Sequence, residues 1–145
     1  MKKNYFRPLF LFAVIVTVAC ISFAFGKRSQ QQGYILEHEK DIGAEQPGPH
    51  DGGGSTIGYS FFSKAENLHL VFRRRVLKPG SAIGYHLQKE DEIYYIVSGE
   101  GIMKMNSETF SVHAGDGILT RPGSSHGLKQ TGKEDLVVIV NYTGK

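Results

Sequence analysis

The stretch GYHLQKEDEIYYIVSG, residues 84–99, places His86, Gln88 and Glu92 within seven residues, and His126 follows further along the chain. Imidazole nitrogen and carboxylate oxygen are donors for divalent first-row metals. Two histidines with one carboxylate suit Fe(II) and other ions that keep open positions. In extended chain, side chains repeat a face every second residue. His86 and Gln88 therefore share one face, and Glu92, Tyr94, Ile96 and Ser98 share a face of the next strand. Gln88 offers a neutral, hard oxygen. It would serve as a weak fourth ligand for Mn, Fe or Zn, or hydrogen-bond a metal-bound water. A single histidine turned into an interior is more often hydrogen-bonded than metallated, so a metal reading depends on the neighbours His86 keeps.

Other polar groups stand near enough in sequence to share such a cavity. Tyr94 is a hydrogen-bond donor to a substrate oxygen and a candidate for proton transfer, or else part of the core. Arg73 and Arg75 lie on one face of the preceding strand. Facing inward, they would clamp a carboxylate or phosphate; facing outward, they would form a solvated edge or a subunit contact. Arg121 is expected at the surface near the mouth, and His38, His69 and His113 are expected to be exposed. The run PGPHDGGGS holds four glycines and two prolines in nine residues, which excludes helix and inner strand. It reads either as a linker or as an ordered lid bringing His50 and Asp51 over a site. Neither a phosphate loop nor a dinucleotide fingerprint occurs.

The elements that must position these groups read as strands. TIGYSFF, LHLVFRRRVL, AIGYHLQ, EIYYIVS, GIMKMN, TFSVH, GILTR, HGLKQ and DLVVIVNY are short, rich in Val, Ile, Tyr and Phe, and separated by turns such as KPGS, SGEG and RPGSS. Regular short strands with turn signals predict an all-β sandwich or barrel over residues 56–145. LVVIVNY, apolar on both faces, is expected to be covered on both sides.

Gly80-x5-His86-x-Gln88-x3-Glu92-x6-Gly99 resembles the first sequence motif of the cupin superfamily, with glutamine in place of its second histidine. Gly115-Asp116, Pro122-Gly123 and His126 resemble the second motif, fifteen residues on. Arg121 stands where that motif usually has an apolar residue or proline, and Gln130 where it often ends in Asn. The resemblance implies a small antiparallel jelly-roll barrel, often a homodimer. It also implies a divalent metal (Fe, Mn, Ni or Zn) at His86, Gln88, Glu92 and His126. Arg73, Arg75, Tyr94 and Gln130 become candidates for contacts with a small-molecule substrate, and Tyr94 for catalysis. Small cupins include isomerases, lyases and dioxygenases acting on oxygenated substrates such as sugars or sugar acids. A non-catalytic module that binds a carbohydrate is the alternative.

The first 26 residues read as an export signal. Lys2, Lys3 and Arg7 precede an apolar run over residues 9–25, and Ala24-Phe25-Gly26 offers small residues for cleavage. An uncleaved membrane anchor is the alternative, and export implies a periplasmic or secreted protein. Cys20, the single cysteine, is poorly placed for lipidation, so a cleaved product would have no disulfide. Residues 27–55 form a polar, Gly/Pro-rich arm. The net charge of +3 belongs to the signal, because residues 27–145 carry 14 basic and 14 acidic side chains. Nothing in that balance argues for nucleic acid as a partner.

Overall fold

A computed structural model describes residues 33–144, of which those from Ile35 onward form one compact unit. The expected signal or anchor lies outside the described residues. Among these, no helix is long and apolar enough to cross a membrane.

A short helix α1 (Glu39–Ile42) leads into β1 (Gly43–Pro47), β2 (Ser55–Phe61), β3 (Leu70–Leu77), β4 (Ala82–Leu87) and β5 (Glu92–Ser98). Then follow β6 (Glu100–Met105), β7 (Glu108–His113), β8 (Gly117–Thr120), β9 (Ser125–Gln130) and β10 (Leu136–Thr143). One sheet has the order β1-β2-β3-β10-β5-β8 and the other β4-β9-β6-β7, and every pairing is antiparallel. This is the expected all-β jelly-roll, and each of the nine expected strands forms within one or two residues of its expected bounds.

The sheets meet across one core. Leu77, Tyr94, Ile96, Leu136, Val138 and Val140 from the larger sheet pack against Ile83, Met103, Val112 and Leu128 from the smaller. The pleat of β5 makes the division plain: Glu92, Tyr94 and Ile96 are buried while Ile93, Tyr95 and Val97 are exposed. Fully burying an aliphatic side chain such as Ile96 contributes about 1.5–3 kcal/mol, so slipping this strand by one residue would be costly. β10 sits between β3 and β5. Leu136, Val138 and Val140 face the core and Val137 is buried on the other face, whereas Ile139 is only partly covered.

The sheet begins earlier than the composition predicts. β1 lies within the expected arm, where GAEQP pairs with β2 from Gly43 opposite Tyr59 to Pro47 opposite Ser55. All five of its residues are exposed. Its strand character comes from the partner rather than from local propensity. As an outer strand it also tolerates Pro47, which has no N–H to donate. The loop from Gly48 to Gly54 then crosses to the free edge of β4.

Candidate metal centre

His86 and His126 come from neighbouring strands of the smaller sheet and stand directly opposite each other in the β4–β9 ladder. Their rings meet edge to face, with centroids 4.6 Å apart. The ladder register shifts between Ile83 and His86, and this irregularity lets both residues turn inward although they are three apart. Glu92 opens β5 on the facing sheet and is 5% exposed. The ligand atoms of His86, Glu92 and His126 all lie within 4.8 Å of one another.

Hydrogen bonds prepare the histidines. His86 Nδ1 lies 2.8 Å from the Gly84 carbonyl oxygen, to which it donates, leaving Nε2 as the free donor atom. His126 Nδ1 lies 2.6 Å from the hydroxyl of buried Thr120. His126 Nε2 and Glu92 Oε2 approach to 3.0 Å, but without the direction of a hydrogen bond, and neither has another partner among the described residues. Two buried, unsatisfied polar atoms this close are costly unless something satisfies both. A divalent cation coordinated by the imidazole and the carboxylate does so, and the donor set fits one.

A cavity of about 230 Å³ opens from this cluster. Gln88 lines it with its side chain buried, and its main chain is pinned to Ser124 and Gly123 by hydrogen bonds of 2.8 and 2.9 Å. Tyr94 also lines it, 3% exposed, with its ring centroid 5.1 Å from that of His126. Burial first, and then the Glu92 carboxylate, hold the Tyr94 pKa well above the ordinary phenol value, so it stays a neutral donor.

Arg73 and Arg75 both face this cavity, while Arg74 between them points away to Glu39 and the Tyr59 ring. Arg75 Nη1 donates to Thr56 Oγ1 at 2.9 Å. Burial, followed by the charge of Arg73, lowers the Arg75 pKa. Arg73 Nε is buried without a partner among the described residues, and its guanidinium lies 5.7 Å from the Tyr142 ring centroid. Among the described residues no carboxylate forms a salt bridge with either arginine.

Gln130 corrects one expectation. It lies at the far end of β9 from His126 and does not line the cavity. Its oxygen accepts from the Gly80 N–H at 2.7 Å, and its amide nitrogen donates to the Gly132 and Glu134 carbonyls at 2.7 Å each. The side chain ties together two loops and has little left to offer a ligand. Arg121 is a surface residue paired with Asp91 at 3.0 Å, and His38, His69 and His113 are exposed.

The glycine-rich segment is an ordered lid rather than a linker. The His50 ring stacks on that of His86, with centroids 3.5 Å apart and planes 7° from parallel. Burial, and then His86, lower the His50 pKa. Asp51 is exposed and is not among the lining residues. Glu90 and Tyr142 also line the cavity and escaped the sequence reading. Glu90 belongs to a turn whose fold is set elsewhere. Tyr142 shares the alternation of Val138 and Val140, a signal that would have found it.

Residues 73–142 match the family model described as a cupin domain. The chain is 37% identical over 106 residues to an oxalate-binding protein of Thermotoga maritima, an overlap of 70% of this chain and 88% of the relative. A crystal structure from Thermotoga maritima, described as a predicted oxalate decarboxylase, superposes with a TM-score of 0.70 at 30% identity, covering 77% of this chain and all of that one. A polyketide cyclase from Streptomyces resistomycificus shares the fold, with a TM-score of 0.64 at 15% identity over 78% of this chain and 81% of the other.

Proposed function

This chain belongs to the cupin family, and on that premise we propose that it binds a small dicarboxylate of the oxalate type at a divalent metal held by His86, Glu92 and His126. The observation that carries this reading is the pair Arg73 and Arg75, turned into the same cavity as the His/Glu cluster with no carboxylate of the described residues in salt-bridge contact. Buried like charges are stable only with an anion or water to answer them. Glu90 and Glu92 line the cavity, and a divalent ion with Arg73, Arg75 and Lys89 would still leave an excess of positive charge that a dianion suits. The names of the relatives from Thermotoga maritima point to the same ligand, in place of the sugar or sugar acid expected from sequence.

A divalent ion in this site would polarise a bound carboxylate as a Lewis acid. The remaining work falls to the chain. Arg75 and Arg73 receive the far carboxylate, which guanidinium groups bind in forked geometry. The Tyr94 phenol, neutral at ordinary pH, donates a hydrogen bond to ligand oxygen. Gln88 offers an oxygen acceptor or an amide donor beside the metal. Turnover of the bound acid is a second reading, favoured by a proton-bearing Tyr94 that lines the cavity together with the metal cluster and the arginines.

Calorimetric titration of the Mn-loaded protein with oxalate, malonate and a sugar acid tests the proposal. Oxalate bound tightly and only with metal present supports it. A sugar acid preferred over both dicarboxylates would overturn it. Formate and carbon dioxide released from oxalate would favour turnover over binding.

Two wider readings belong here as well. Export or anchoring is supported by the charged, apolar amino-terminal sequence, and fractionation of cells into periplasm and membrane tests it. Homodimerisation is supported by the exposed apolar group Ile93, Tyr95, Val97 and Leu119 on β5 and β8, which light scattering tests.

A further inference from the structure

We infer that the loop Gly48–Gly54 is a latch on the metal centre, and that His50 and Gly84 are positioning residues for the ligand His86. The inference rests on the metal reading above but concerns residues outside its ligand set.

β4 is an outer strand of the smaller sheet, and the latch occupies its free edge. The Gly84 N–H donates to the Pro49 carbonyl at 2.9 Å, and the Ala82 N–H donates to the Gly53 carbonyl at 3.3 Å. Ser81 closes the far end: its hydroxyl accepts from the Ser55 N–H at 2.9 Å and donates to the Ser55 carbonyl at 2.8 Å. The approach is too close for side chains. A Cβ on Gly84 would overlap the His50 carbonyl oxygen, and one on Gly52 would overlap the Ala82 carbonyl oxygen. His50 and Asp51 hold φ of 54° and 59°, a left-handed conformation that non-glycine residues keep only where their surroundings impose it.

Gly84 joins this latch to the metal ligand. Its N–H is held by Pro49, its Cα lies under the His50 carbonyl, and its own carbonyl accepts from His86 Nδ1. The hydrogen bond that orients His86 therefore comes from the residue the latch grips. The His50 ring covers one face of the His86 ring in a near-parallel stack, which blocks that ring from tilting towards that side. Removing a group that orients a metal ligand typically weakens metal binding about 10- to 100-fold.

The test measures Mn(II) affinity from the electron paramagnetic resonance signal of free Mn(II), and the rate of Mn(II) loss to excess chelator. It compares the full chain with His50→Ala, His50→Phe and Gly84→Ala, with circular dichroism confirming the fold. His50→Ala is expected to weaken binding about tenfold and to speed loss. His50→Phe, which keeps a flat ring, is expected to restore both. Gly84→Ala is expected to weaken binding at least as much as His50→Ala while leaving every ligand in place. Wild-type affinity and release in His50→Ala would overturn the latch alone. A His50→Phe variant as weak as His50→Ala would also overturn it, by assigning the role to the ring nitrogens. No Mn(II) bound by the wild type would overturn the metal reading and the latch together.

Discussion

Replacing Arg75 with methionine should stabilise the ligand-free protein while weakening its hold on oxalate. Arg75 is 7% exposed, and among the described residues its guanidinium hydrogen-bonds Thr56. Burial and the neighbouring Arg73 both disfavour its charge. Exchanging buried charge for apolar side chains of similar volume is commonly neutral or stabilising by about 1–4 kcal/mol. The guanidinium still faces a cavity, so the low end applies, about 1 kcal/mol. Thr56 is not orphaned, because its hydroxyl also donates to the Gln46 carbonyl at 3.1 Å. For a domain of this size, about 1 kcal/mol raises Tm by roughly 4 °C. Losing a charge-assisted hydrogen bond to the ligand costs about 1.5–3 kcal/mol, or roughly 10- to 150-fold in Kd. Thermal unfolding without ligand and calorimetry with oxalate read the two effects separately. A lower Tm with unchanged oxalate affinity would instead make Arg75 a structural residue with no part in binding.

The correction at Gln130 predicts the opposite pattern. Gln130→Ala leaves the Gly80 N–H and two loop carbonyls without their partner, so stability should fall by about 2–3 kcal/mol while oxalate affinity stays at the wild-type value. Urea unfolding and calorimetry check the two halves. Tyr94 predicts an alkaline effect. Its folded-state pKa lies above the unfolded value near 10, so the folded protein keeps a proton that the unfolded chain releases. Its contribution is fully present below about pH 10 and is lost as pH rises further. Urea midpoints measured between pH 9 and 11 should fall more steeply in the wild type than in Tyr94→Phe.

The barrel was legible because each strand announces itself in a few residues. Alternation in EIYYIVS states which side chains face inward, and RPGSS and SGEG state where the chain turns. The spacing of His86, Glu92 and His126 was legible for the same reason, since the pleat converts sequence spacing into a shared interior. β3 was not. LVFRRRVL has apolar residues on both faces and arginines at three successive positions, so only the packing against β2 and β10 reveals that Arg73 and Arg75 turn inward. β1 and the latch were hidden more deeply. Residues 43–54 are small, polar and glycine-rich, and their order comes from edges that β2 and β4 provide. The lid was recognisable as a possibility from His50 and Asp51 beside the glycines, but the stack on His86 was not. Gln130 misled because a polar residue at the end of a site motif says nothing about which loop it faces. Its three backbone partners come from segments up to fifty positions distant.

Metal binding at His86, Glu92 and His126 is the premise of both the ligand proposal and the latch. Elemental analysis of the protein, purified without a metal-binding tag and alongside His126→Ala, measures it. Close to one divalent ion per chain is expected in the wild type and background levels in the variant. A wild type that stays metal-free after incubation with excess Mn, Fe, Ni and Zn would contradict it.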